Sequence, residues 1–138
     1  MTPRARPATL DDLKKLLAAL HKERADYLLI GAYALLAHGY PRATVDIDLI
    51  VPARELAPEW FEEGEGIRLA DEIVVDLVFR TCGETFETLR PFEITIDLDG
   101  VPLRTVNLEG LLRTKQSGRE RDVSDRRIIE QALQARRR

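Results

Sequence analysis

The sequence predicts an α/β (α+β) domain in which a mixed sheet is flanked by helices. Three observations carry this. Short apolar runs of strand character alternate along the chain with stretches of helical periodicity. The length of 138 residues, 44% of them hydrophobic, suits one core. No internal repeat, low-complexity tract or composition break divides the chain, so residues 1–138 are expected to form one domain.

Met1 to Ala8 carries two prolines and two arginines without apolar periodicity and reads as a flexible leader that does not pack. Thr9 is a good N-cap, Asp11 and Asp12 suit the positive end of a helix, and Leu13, Leu16, Leu17 and Leu20 recur at helical spacing. A helix is therefore expected from Leu10 to Ala25. The wholly apolar Tyr27-Leu28-Leu29-Ile30 reads as a strand buried on both faces, ended by Gly31. A short helix over Ala32 to Ala37 follows, stopped by His38-Gly39-Tyr40-Pro41, and then a loop over Arg42 to Thr44.

Val45 to Val51 alternates apolar and acidic side chains and then becomes fully apolar, as a strand does when one end emerges into a cleft. Residues 53 to 65 predict a helical turn around Leu56 to Phe61 and a connection. Ile67 to Leu69 and Ile73 to Phe79 read as two strands, Glu84 to Arg90 as a helical segment, and Ile94 to Leu98 with Val101 to Thr105 as a hairpin turning at Asp99-Gly100. Asn107 caps a helix through Thr114, and a last helix spans Arg121 to Ala135 before a frayed basic tail at residues 136–138.

A net charge of −3 and a pI near 5.5 provide no global basic field, so a nucleic-acid partner would have to be held locally. Without a helix-turn-helix pattern, sequence-specific DNA binding is disfavoured. The lone Cys82 cannot form an internal disulfide, and the sequence shows neither a secretory core nor a membrane-length apolar run. The chain is expected to be cytoplasmic, with no membrane partner. Cys82, beside Gly83, reads as a small residue at a turn.

The chemistry concentrates in acids that interrupt apolar strands. Positions i and i+2 of a strand share a face, so Asp46 and Asp48 project together while Val45, Ile47 and Leu49 face the other way. Such pairs are usually just a solvated face, but here the strand is otherwise strongly apolar, and close carboxylates repel unless a cation compensates them. Asp76 interrupts Ile73 to Phe79 in the same manner and needs a partner, because an unpaired buried carboxylate is costly. Gly31-Ala32 leads a buried strand into a helix whose first N–H groups can face an anion, although many such turns use glycine only for backbone freedom. Asp97-Leu98-Asp99 is discounted: Asp99-Gly100 is turn chemistry and Asp97 faces solvent. His38 and His21 read as structural or exposed.

Together these features resemble the DNA polymerase β nucleotidyltransferase superfamily. Its signature is an apolar residue, Gly, and Gly or Ser, then about a dozen residues to an Asp-x-Asp strand. Here the pattern is Ile30-Gly31-Ala32, thirteen intervening residues, and Asp46-Ile47-Asp48, with Val75-Asp76-Leu77 as the third acid. Gly31 to Leu35, His38-Gly39, Arg42, Thr44 and Asp46 to Leu49 are similar to the small prokaryotic members, including those of toxin–antitoxin and abortive-infection pairs. So is the closing segment Leu111 to Lys115, Gly118-Arg119, Asp122 and Asp125. The similarity covers residues 27 to 130. It departs at Ala32, which lacks the hydroxyl of a serine, and in the short stretch between the second and third acids.

The resemblance implies a polymerase-β-like fold and a nucleotidyltransferase in which Asp46, Asp48 and Asp76 are the catalytic acids and hold Mg²⁺ or Mn²⁺. It implies a triphosphate held by Gly31, Ala32, Arg42, Thr44, Lys115 and Arg119, with Asp122 and Asp125 holding those cations or capping the last helix. An NTP would be the donor and a hydroxyl on protein, tRNA or a small molecule the acceptor; a cognate antitoxin or other partner protein is a further expectation. The alternative is a catalytically inactive nucleotide-binding or partner-binding module on the same fold.

Overall fold

The computed structural model describes residues 6–40, 46–52, 66–70 and 73–137, with residues 66–70 as backbone. The expected helical turn at Leu56 to Phe61 and the loop over Arg42 to Thr44 lie outside these residues.

Helix α1 (Leu10–Lys22) begins as its sequence dictates: Thr9 and Asp12 form a reciprocal capping box, and Leu13 and Leu17 are buried. It ends three residues before the expected Ala25, because Arg24 turns left-handed at φ 53° and the Ala25 N–H closes back onto the Leu20 carbonyl at 2.9 Å. With no glycine to mark it, that stop is silent in the sequence. The expected loose leader is corrected in its last residues: Ala8 is buried, its carbonyl accepts from the Tyr33 hydroxyl, and Arg6 grips Asp12 through two bonds of 2.6 and 2.7 Å. Asp12 thus serves the helix cap and the preceding segment together.

Among the described residues six strands form one sheet in the order β3-β4-β2-β1-β6-β5. Strand β1 (Leu28–Ile30) is entirely buried and runs antiparallel to β2 (Asp46–Ile50) and parallel to β6 (Val101–Val106). Strand β2 runs parallel to β4 (Val74–Val78), which pairs antiparallel with β3 (Gly66–Ala70). Strand β5 (Glu93–Leu98) forms the outer arm of a hairpin with β6. Both turn residues take positive φ, Asp99 at 49° and Gly100 at 86°, the pattern of a tight Asp-Gly turn, and Lys14 of α1 pairs with Asp99 at 2.8 Å.

Helix α2 (Gly31–Ala37) leaves β1 directly and stops at His38-Gly39, as expected. Helix α3 (Phe86–Leu89) is shorter than its expected span, capped by Thr85, and passes into a 3-10 turn at Arg90–Phe92 that contains Pro91. Helix α4 (Leu108–Arg113) is capped by the Asn107 side chain, which accepts from the Gly110 N–H at 2.9 Å. Helix α5 (Glu120–Arg136) reaches one residue into the segment expected to fray. No helix among the described residues is long and apolar enough to cross a membrane.

Candidate metal and phosphate site

The strand register brings the acids together. Asp48 lies between β1 and β4, opposite Ile30 on one side and Asp76 on the other, while Asp46 lies one pleat back on β2, opposite Val74. Paired residues of adjacent strands point to the same face, so Asp46, Asp48 and Asp76 share one face of the sheet at its β1–β2–β4 centre. The other face of β2 carries Ile47 and Leu49, both without solvent exposure.

Burial pushes the Asp48 carboxyl up to about 6, reinforced by the charge of Asp76, a hydrogen bond with Asp76, and the charge of Asp46; Lys115 acts in the opposite direction. Protonation of Asp48 relieves this crowding, as a bound cation would. The donor set, three carboxylates without sulfur or imidazole, suits a hard divalent ion. Among the described residues no trio of His, Cys, Asp or Glu is drawn tightly enough to ligate a single ion as it stands. The tight element is the Asp48–Asp76 pair.

Gly31 is required twice over at this point. Its φ of 75° belongs to the left-handed region, and a Cβ there would lie 3.1 Å from both Cβ and Cγ of Asp48 and closer still to a carboxylate oxygen. The first turn of α2 is thereby set directly against the Asp48 carboxyl. Ala32, next in line, is buried.

Lys115 adds a cation within electrostatic range of Asp48. It is buried, with Nζ 3.0 Å from Asp125 Oδ2 and 3.9 Å from Asp122 Oδ1, and its charge reaches Asp48. Asp122 and Asp125, also buried, hold this cation as the sequence implied. Burial alone would raise Asp122, but the Ser117 hydroxyl, Lys115 and Arg119 together hold its carboxyl below the ordinary range. Arg119 has an exposed side chain and pairs with Asp122 at 3.4 Å. Arg42 and Thr44, expected at the phosphates, lie outside the described residues.

The discounted residues have structural partners. His38 Nε2 bonds the Val106 carbonyl at 2.8 Å, and His21 Nε2 lies 2.8 Å from the Tyr27 hydroxyl. Cys82 is exposed at φ 50°, beside Gly83 in a turn between Thr81 and Glu84, and Asp97 is exposed. The sequence reading overlooked Ser117 and Arg126, which organise the segment around Lys115; neither belongs to a spacing pattern that could have marked it.

No protein-family model matches the sequence, and no curated protein matches it. Among solved structures, an antigenic nucleotidyltransferase-like protein from Paracoccidioides brasiliensis aligns with a TM-score of 0.51 at 17% identity, over 92% of this chain and 76% of that one. At this identity the likeness speaks for architecture. The chain has a nucleotidyltransferase-like fold of the polymerase β type, a mixed sheet with flanking helices.

Proposed function

We propose that this chain is a metal-dependent nucleotidyltransferase that moves a nucleoside monophosphate from an NTP to a hydroxyl on protein, tRNA or a small molecule. The observation that carries the reading is the Asp48–Asp76 pair. Two acids on adjacent parallel strands lie directly opposite one another, with Asp46 on the same face and a glycine pressed against Asp48.

In this reading Asp46, Asp48 and Asp76 hold Mg²⁺ or Mn²⁺, which when bound would neutralise phosphate charge and make the acceptor hydroxyl more acidic. Asp76 is assigned to the acceptor side, where its carboxylate takes the hydroxyl proton. The acceptor oxygen forms a bond to the α-phosphorus as the bond from that phosphorus to the β-phosphate oxygen breaks, releasing pyrophosphate. Lys115 and Arg119, with Arg42, offset the charge gathering on that leaving group, and the N–H groups of Gly31 and Ala32 face the triphosphate. A cytoplasmic toxin–antitoxin component with a cognate protein partner is the setting that the resemblance favours.

One observation favours a second reading, a nucleotide-binding or partner-binding module without catalysis. Ala32 stands where the family pattern has Gly or Ser and offers a buried methyl instead of a hydroxyl. Incubation with each labelled NTP, Mg²⁺ and cell lysate separates the two. Transfer of label by the wild type and not by Asp46→Ala/Asp48→Ala supports the enzyme; no incorporation with any NTP supports the module.

A further inference from the structure

The segment between α4 and α5 is fastened at residue 115 from both ends of that residue. Asp125 takes the side-chain ammonium at 3.0 Å, and the next residue on α5, Arg126, donates through Nη1 to the Lys115 carbonyl at 2.5 Å and to the Ser117 carbonyl at 2.7 Å. The Ser117 hydroxyl bonds Asp122, whose other oxygen lies 3.9 Å from the same ammonium, and it accepts from the Arg119 N–H at 3.2 Å. Thus α5 grips the backbone of the segment with one residue and the charge it carries with its neighbours.

We propose that Arg126 is a positioning residue, a main-chain clamp that fixes where the Lys115 ammonium sits against Asp125 and so its orientation toward the phosphates of the proposed site. This rests on the nucleotidyl-transfer reading for its purpose, but the clamp itself can be tested without a nucleotide. The physical case is that a lysine has a long, flexible stem and a point charge, so its ammonium is only as well placed as the backbone beneath it. The two N–H groups of Arg126 Nη1 serve one carbonyl each, and the planar guanidinium fixes their directions, which converts the Lys115–Ser117 turn into a rigid mount. The rigidity has a use here: a displacement of the ammonium by about one ångström would break its 3.0 Å contact with Asp125 and spoil its alignment with an incoming phosphate. Asp125 alone fixes the ion pair but not its distance from the β2 acids.

The chain's four lysines are Lys14, Lys15, Lys22 and Lys115, so three of them, all on α1, serve as internal controls for a labelling experiment. The rate of acetic anhydride modification at each lysine would be followed by mass spectrometry in the wild type, Arg126→Gln and Arg126→Lys. Lys115 is expected to label about tenfold faster in Arg126→Gln, the equivalent of one charge-assisted hydrogen bond, and at an intermediate rate in Arg126→Lys. The α1 lysines should keep their wild-type rates. Unchanged labelling at Lys115, or a parallel rise at all four lysines, overturns the clamp. Should Arg126→Gln not fold, Arg126→Lys against the wild type supplies the same comparison at smaller amplitude.

Calorimetric titration with tripolyphosphate and Mg²⁺ reads the purpose of the clamp. Arg126→Gln should weaken binding about tenfold in the wild-type background and not further in Lys115→Met, because a positioning residue acts only through the group that it positions. Equal losses in both backgrounds overturn the positioning role. Absence of tripolyphosphate binding by the wild type overturns the nucleotidyl-transfer reading instead, and the labelling rates still decide the clamp.

Discussion

Asp48 carries the most information at the scale of single residues, because its carboxyl is held at about 6 against an ordinary 3.8. The folded state binds that proton more tightly than the unfolded chain does. The associated stability is therefore complete below about pH 3.8 and lost as pH rises through about 6. Without divalent metal, the urea midpoint should fall across this window, and Asp48→Asn, neutral throughout, should remove that component and leave the protein more stable than wild type above it. A midpoint that responds to pH equally in both proteins would show that Asp48 keeps no extra proton. Gly31 makes a second case. Gly31→Ala meets both a left-handed backbone and the Asp48 side chain, so a loss of about 1–3 kcal/mol is expected in urea melts. Adding Asp48→Ala should recover the steric part and leave the backbone part. A fully additive double mutant would show that the contact with Asp48 is immaterial.

At the scale of elements, α4 shows why local reasoning can give the wrong sign. Replacing a helical glycine by alanine ordinarily stabilises by about 1 kcal/mol. A Cβ on Gly110, however, would lie 2.7 Å from Phe92 Cβ and 2.9 Å from Val106 Cβ, so Gly110→Ala is expected to destabilise by about 1–3 kcal/mol in chemical denaturation. A stabilised variant would mean that the Arg90–Phe92 turn yields freely. The Phe92 part of this contact was invisible in the sequence, since it joins separate elements of the chain, whereas features fixed by neighbours were legible. Thr9 and Asp12, Asn107, Gly39 and Asp99-Gly100 all act where their side chains or dihedrals require. The shared face of Asp46 and Asp48 followed from strand periodicity alone. That Asp76 sits directly opposite Asp48 depended on a parallel pairing of strands separated in sequence; the cost of burying a carboxylate called for a partner near Asp76 but did not fix that register. The end of α1 at a left-handed arginine, the packing of Ala8 and the grip of Arg126 had no local code. Each is set by what the rest of the fold places next to it.

For the whole molecule, the acids, Gly31 and Lys115 come from β1–α2, β2, β4 and the α4–α5 connection, so a ligand that joins them reports on the complete fold. A divalent ion bound by the folded arrangement alone raises the melting temperature, by an amount that grows with the logarithm of its concentration once that exceeds Kd. In the proposed site it competes with the proton on Asp48, so binding strengthens as pH rises and that proton is lost. Since Asp48 titrates near 6, Mn²⁺ with tripolyphosphate should shift the midpoint little at about pH 5 and by several degrees at about pH 8. Asp48→Asn should lose most of the shift and its pH dependence together, because it removes a ligand and the competing proton in one step. Lys115→Met should retain the response to Mn²⁺ alone and lose most of the gain from tripolyphosphate, since it removes a phosphate partner and spares the acids. Calorimetric scans at constant ionic strength, with and without each addition, resolve these cases. A shift of equal size at both pH values would mean that the cation binds away from Asp48. The absence of any shift with metal and tripolyphosphate, in a protein that still melts cooperatively, would leave the acids as an electrostatic feature of the fold and favour the non-catalytic module.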